Sequence, residues 1–230
     1  MKSSSLIEMA VIFCLVLTAN AIAQSPAEKK LKSKIEQSEK AARVLRELMD
    51  RPDQGIPAEL LEATECVAVF PAIAPSGFSL SGSSRRGVVS CHTFTGWSAP
   101  AYFKLDGGSF GRQVGGPSTD LVLLFMNKQG LDRLLSGKFK IGADTSAVAG
   151  PVGRQAEAST IFDFDAHILS YSRSHGVLAG LDLRGAVISP EKEGMRAVYG
   201  EGVTVKEILK ENTAVGPAAV LAFPIALERL

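Results

Sequence analysis

The residues of this sequence best suited to chemistry are basic side chains that could hold an anionic group. Lysines crowd the start of a helical pattern, and paired arginines stand at a predicted hairpin tip. A guanidinium can grip two phosphate oxygens at once, and a lysine adds a point charge. The alternative for the basic residues is that their charges are only solvated. The alternative for the tryptophan is that it packs in the core instead of anchoring at an interface. The candidate set is Lys29, Lys30, Lys32, Lys34, Arg85, Arg86, Arg112 and the single tryptophan, Trp97.

A candidate nucleophile is Ser109, which stands in a Gly-x-Ser-x-Gly pattern at residues 107–111. In serine hydrolases this pattern forms a sharp turn between a strand and a helix. Here two glycines and a proline follow at residues 115–117, and they prevent a helix. The segment therefore favours a hairpin turn, and a hydrolase using Ser109 is kept only as an alternative.

A candidate metal site is the alternating trio Asp163, Asp165 and His167. A strand would place all three side chains on one face, where two carboxylates and an imidazole could begin a metal site. The alternative is the polar outer face of an edge strand. The sequence contains no zinc, nucleotide or calcium motif. We therefore expect no metal, no cofactor and no catalytic residue.

Residues 1–23 have the three parts of a secretory signal peptide. Lys2 supplies the positive start, residues 9–17 are apolar, and Ala21 and Ala23 form a small-x-small cleavage site. The apolar run is too short for a membrane-spanning helix, which needs about 20 residues. We expect cleavage after Ala23 and a periplasmic or secreted location.

Removal of that segment leaves two cysteines, Cys66 and Cys91, both in predicted strands. Exported proteins form disulfides more readily than cytosolic ones, so a cross-strand bridge is one interpretation. Two buried thiols that never meet are the other. Spacing does not decide between them, because a disulfide depends on geometry.

The charge of the chain is nearly balanced overall but uneven along its length. The 230 residues include 25 Lys and Arg against 24 Asp and Glu, which argues against a polybasic nucleic-acid-binding protein. Residues 24–51 carry eight basic and five acidic side chains. This basic amphipathic segment could lie on an anionic membrane, or it could pack on its own domain.

The hydrophobic pattern predicts helices at both ends and strands between them. Apolar residues recur at helical spacing over 26–50 and again after Pro190. Between them, short apolar runs separated by Gly, Pro and Ser indicate antiparallel strands. Asn127 is a possible N-cap of a short helix, and the last helix, at 218–229, is expected to be interrupted at Pro224. The predicted strands are 66–70, 77–82, 87–92, 101–105, 109–115, 120–126, 166–173, 177–183 and 186–188. We therefore predict an α+β fold with a mainly antiparallel, strongly curved sheet, sandwich or barrel-like. Its parts are a signal peptide at 1–23, an amphipathic helix at 24–51 and a β-rich domain at 52–230.

Several segments in order resemble the SYLF family, also called the Ysc84 actin-binding domain family. The strongest is the run from Ser170 to Gly185, with Ser-Tyr-Ser-Arg followed by Gly-Val-Leu-Ala-Gly. The resemblance covers about residues 40–212 and implies a lipid-binding module; some eukaryotic members bind phosphoinositides or actin. The sequence departs from the family pattern at residues 81–85. The other matching segments are 66–71, 77–78, 87–89, 97–101 and 111–115.

Together, these features predict an exported, non-enzymatic domain that binds lipid or a membrane surface through anionic headgroups. An exported chain would not meet actin, so we expect no actin partner. Nucleic acid is not an expected partner either. A protein-interaction or scaffold module of the cell envelope, without lipid binding, is the alternative.

Overall fold

The first helix begins where the sequence supplies a complete N-terminal cap. In this computed structural model, Ser25 caps helix α1 (Pro26–Met49) and forms a capping box with Glu28, while Pro26 occupies the first turn. The structure describes residues 25–50, 55–72, 84–107, 119–150, 167–174, 177–180 and 183–230. The helix predicted over 26–50 is confirmed.

The strands form one sheet that is curled into a half-barrel. The strands are β1 (Cys66–Phe70), β2 (Arg85–Thr93), β3 (Gly96–Trp97), β4 (Ala101–Asp106), β5 (Thr119–Phe125), β6 (Phe139–Lys140), β7 (Ala147–Ala149), β8 (Ile168–Ser174), β9 (Val177–Gly180) and β10 (Val187–Pro190). Their order is β6-β10-β4-β2-β1-β5-β8-β7, with β3 paired to β2 and β9 to β8. Among these described strands every pair is antiparallel except β7 with β8, and the predicted fold class is confirmed.

Strand β1 lies in the middle of the sheet, and all five of its residues are buried. Its first residue, Cys66, faces Cys91 of β2 in register, and a disulfide joins the two. Gly87 of β2 is needed beside β1, because a Cβ there would lie 2.3 Å from Cδ1 of Phe70. The centre of the sheet is thus closely packed.

Shorter helices lie beside the sheet, and three of them pack against α1. The helix predicted near Pro224 is divided, but not at that proline: a 3₁₀-helix ends at Leu221 and an α-helix follows, with Pro224 in its first turn, where proline is tolerated. Strands predicted at 77–82 and 109–115 lie outside the described residues. The helices are α2 (Ala58–Glu62), α3 (Lys128–Ser136), α4 (Lys192–Tyr199), α5 (Val205–Leu209), the 3₁₀-helix η1 (Ala218–Leu221) and α6 (Ala222–Leu227).

One face of α1 packs into the domain core. Ala41, Ala42 and Leu45 of this face are fully buried. Ser38, also buried, donates to the carbonyl of Val220 at 2.5 Å and accepts from the backbone N–H of Phe223 at 3.2 Å. Helix α1 is therefore an integral part of the fold, as the second interpretation of the amphipathic segment expected.

Candidate functional site

Two glutamates at the start of α4 gather basic side chains from three other parts of the fold. Lys30 of α1 donates to Glu193 at 2.5 Å, and Nε of Arg86 on β2 lies 3.6 Å from Glu191. This arrangement defines a group of charged side chains, partly buried and partly exposed, that we call the cationic cluster. It consists of Lys30, Lys34, Arg86, Lys104 and Arg196 around Glu191 and Glu193.

The strand register explains why Arg86 and Lys104 lie together. They are directly opposed residues of the antiparallel pair β2 and β4, so their side chains share one face of the sheet. The side chain of Arg86 is 61% exposed, whereas Lys104 is half-buried. Arg196 also contacts Glu201 at 3.4 Å. Five cations thus share three carboxylates, those of Glu191, Glu193 and Glu201, which still leaves an excess of positive charge.

Lys29 and Lys32 extend the positive surface along α1. Both are exposed and stand beside Lys30 on the first turns of the helix. Lys30 holds the pKa of the Glu193 carboxyl below its ordinary value by donating a hydrogen bond to it. Of the predicted set, Lys30 and Arg86 therefore lie at the cluster itself, and Lys29 and Lys32 are exposed on the same turns of α1.

Lys34 does not belong to the accessible surface, in contrast to the prediction. It is 1% exposed, and its Nζ donates to Glu191 at 2.6 Å and to Gln37 at 2.7 Å. Burial lowers the pKa of Lys34, while the carboxylate of Glu191 opposes that change. Gln37 in turn donates to the carbonyl of Gly87 at 2.8 Å. Lys34 therefore ties α1 to β2 and α4.

Arg85 is also turned inward, although it was predicted at an exposed hairpin tip. It is 6% exposed and donates to the backbone carbonyl of Thr119 on β5. Burial lowers its pKa, and nearby Asp120 opposes this effect. Alternation along β2 sends Arg85 and Arg86 to opposite faces, so the two arginines cannot act as an exposed pair.

Trp97 lies far from the lysines of the predicted set. It belongs to the β2–β3 hairpin and packs against His92 near Met49, at the C-terminal end of α1. Lys30 and Met49 are nineteen residues apart on the helix, or about 28 Å at 1.5 Å per residue. The structure therefore does not bring Trp97 into the cationic cluster.

Other predicted residues fall outside this region. Arg112, Ser109, Asp163 and Asp165 lie outside the described residues. Nδ1 of His167 lies 3.0 Å from the hydroxyl of Thr145. Within the described ranges, no three His, Cys, Asp or Glu side chains come close enough to hold a metal ion.

Sequence reasoning missed Lys104, Glu191, Glu193 and Arg196. The alternation of β4 could have placed Lys104 on a polar face, but its pairing with Arg86 depends on strand order. The two glutamates come more than 150 residues after the lysines that they bind. No local signal connects the two segments.

Comparison with known proteins identifies relatives across most of the chain. Protein YSC84 of Saccharomyces cerevisiae is 32% identical over 205 residues, covering 85% of this chain and 43% of the relative. The human SH3 domain-containing YSC84-like protein 1 is 28% identical over 196 residues, covering 82% of this chain and 56% of the relative. The chain thus spans about half the length of the curated relatives it matches.

A family model described as Ysc84, Las17-binding protein actin regulator, matches residues 106–228, which is more than half of the chain. Fold and charge together define an α+β domain with a curled antiparallel sheet and a cationic surface. The chain belongs to the Ysc84 family. The resemblance that the sequence motifs indicated is confirmed.

Among the residues that the structure describes, no helix combines the length and the apolar composition needed to cross a bilayer.

Proposed function

We propose that this chain is an exported, non-enzymatic domain that associates with membranes by binding anionic lipid headgroups. The observation that carries the proposal is the cationic cluster, where basic side chains from α1, β2, β4 and α4 outnumber the carboxylates between them. Lys29, Lys30, Lys32 and Arg86 are the accessible contacts. Near an anionic surface each such residue contributes about 1 kcal/mol.

Export is part of the proposal. It is supported by the signal-peptide pattern of residues 1–23 and by the disulfide between Cys66 and Cys91, since such bonds persist mainly in oxidising compartments. In that location actin is not a partner. Names of relatives refer to Las17 binding and to SH3 domains, and we do not extend those partners to this chain.

Co-sedimentation with vesicles tests the lipid proposal. We expect the protein from Gln24 onward to bind vesicles containing phosphatidylglycerol at low salt, and to bind pure phosphatidylcholine vesicles much less. High salt should release it, because charge attraction between exposed groups is screened over about 8–10 Å. Failure to bind anionic vesicles at low salt would overturn the proposal.

A matched pair of triple variants locates the contact on α1. Lys29→Gln, Lys30→Gln and Lys32→Gln together should weaken binding by about fivefold per residue. The control removes three exposed cations from the other half of the same helix: Lys40→Gln, Arg43→Gln and Arg46→Gln. Equal loss in both variants would contradict a contact at the cationic cluster.

A second candidate is a protein-interaction module, and one observation favours it. Phe94, at the turn of the β2–β3 hairpin, is fully exposed, so its ring is available for contact with a protein partner. If this candidate is right, the parent protein does not bind vesicles but captures a protein partner from envelope extract. The variant Phe94→Ser would then lose that capture.

A further inference from the structure

A groove lies at the end of the molecule opposite the cationic cluster. It is about 300 Å³ in volume and opens between the C-terminal end of α1, α2, α6 and the β2–β3 hairpin. Its walls include the apolar side chains Met49, Leu61 and Leu227. This volume is at the small end of the range for ligand pockets, so it suits a small molecule or a single functional group.

Two stacked rings form one wall of the groove. His92 and Trp97 are cross-strand partners, and their ring centroids are 3.8 Å apart with 34° between the planes. Partial burial lowers the pKa of His92 below its ordinary value of 6.5, and the opposing effect of Glu65 is smaller. The imidazole is therefore neutral at pH 7. A tryptophan face attracts cations through its quadrupole.

Two exposed carboxylates, those of Glu62 and Glu228, complete the lining. The carboxylate of Glu228 lies close to Gly96, where φ is +110° and a Cβ would lie 3.0 Å from Oε1. Within the described part of the chain, neither glutamate has an ion-pair partner. The groove thus combines apolar walls, an aromatic face and negative charge.

We propose that this groove binds an organic cation with an apolar body, of the alkyltrimethylammonium class. The methyl and methylene groups would contact Met49, Leu61 and Leu227, while the ammonium would lie between the Trp97 ring and the two carboxylates. An anion would be repelled there. A neutral apolar molecule would form no ion pair with the carboxylates and would displace water from them, which costs free energy. This proposal is independent of headgroup binding at the cationic cluster.

Trp97 is the only tryptophan, so the tryptophan fluorescence of the protein reports directly on the groove. Titration with octyltrimethylammonium, below its micelle concentration, should change Trp97 fluorescence saturably. Octanoate has nearly the same chain but the opposite charge, and 1-octanol has the chain without charge. Both should bind at least tenfold more weakly. Equal binding of either probe, or no saturable response to the cation, would overturn the proposal.

Substitution of the carboxylates tests the role of charge without removing the reporter. Glu62→Gln and Glu228→Gln should each weaken binding of octyltrimethylammonium by about threefold, the scale of an exposed ion pair. The weak response to 1-octanol should not change, which shows that the groove keeps its shape. Glu36→Gln with Glu39→Gln, on the exposed face of α1, is the control and should bind normally. A protein that carries both Glu62→Gln and Glu228→Gln should bind octyltrimethylammonium more weakly still. If it bound this cation as tightly as the parent protein, the proposal would be contradicted.

The two proposed sites can fail separately. The triple lysine variant of α1 should retain full binding of octyltrimethylammonium, since its substitutions are about 28 Å from the groove. Loss of the fluorescence response in that variant would contradict an independent cation site. Loss of vesicle binding in the same variant concerns only the cationic cluster.

Discussion

At the scale of single residues, Lys34 differs most from the sequence-based expectation. Four lysines close together in sequence suggested one exposed group. Yet Lys34 falls on the same helical stripe as Ser38, Ala41 and Leu45, so a stricter use of the 3.6-residue period places it on the buried face. Glu191, its partner, is 157 residues away in the chain and could not be predicted locally.

The buried pair of Lys34 and Glu191 should contribute strongly to stability as long as both members are present. Lys34→Met or Glu191→Leu alone leaves one buried polar group without its partner, which costs about 3–5 kcal/mol. The double variant Lys34→Met with Glu191→Leu should recover much of that loss, since apolar replacements of buried pairs are tolerated. Urea denaturation measures these differences.

The exposed pair of Lys30 and Glu193 is the control for that experiment. It belongs to the same helices, but its side chains are 38% and 70% exposed. Lys30→Met should therefore change the urea midpoint very little, because exposed ion pairs contribute little to stability. If the two buried substitutions proved additive in the double variant, the pair would not act as a unit.

At the scale of secondary-structure elements, the sequence predicted most of what is local. The cap at Asn127, whose side chain accepts from Gly130, begins α3 as expected. Strands β1, β4 and β5 fall at the predicted positions. Pairing was not predictable in the same way, because the order of strands depends on contacts distant in sequence. The parallel pairing of β7 with β8 is an example.

The disulfide between β1 and β2 should stabilise the sheet. It closes a loop with a sequence separation of 25 residues, for which the loss of chain entropy in the unfolded state predicts about 3.5 kcal/mol. The variant Cys66→Ala with Cys91→Ala should be less stable by that amount in guanidinium denaturation. Its midpoint should not respond to reductant, whereas that of the parent should fall. If the guanidinium midpoint of the parent protein were the same with and without reductant, this prediction would be contradicted.

At the scale of the whole molecule, helix α1 separates two chemically different ends. Its first turns belong to a cationic cluster, and its last turn borders a groove with two carboxylates. The sequence alone showed that residues 24–51 are basic but did not show that Trp97 lies beside the far end of the helix. That relation comes from the docking of α1 on the sheet.

Because α1 is part of the core, its removal should prevent folding. A protein that begins at Arg51 would expose the buried residues of β2 and α6 that α1 covers. We expect it to lack near-ultraviolet circular dichroism and a cooperative thermal transition. The control begins at Ser25 and keeps the complete helix cap, so it should retain both. A cooperative transition in the shorter protein would contradict this prediction.

The contact of Ser38 with Val220 and Phe223 also has a consequence for the order of events during synthesis. These groups are separated by 182 and 185 residues, so α1 cannot complete its docking until η1 and α6 have left the ribosome. Until then the apolar stripe of α1 has no final partner. A nascent chain that postpones its native structure in this way stays unfolded during synthesis, as the export that we propose would require, because a translocation channel accepts only unfolded polypeptide.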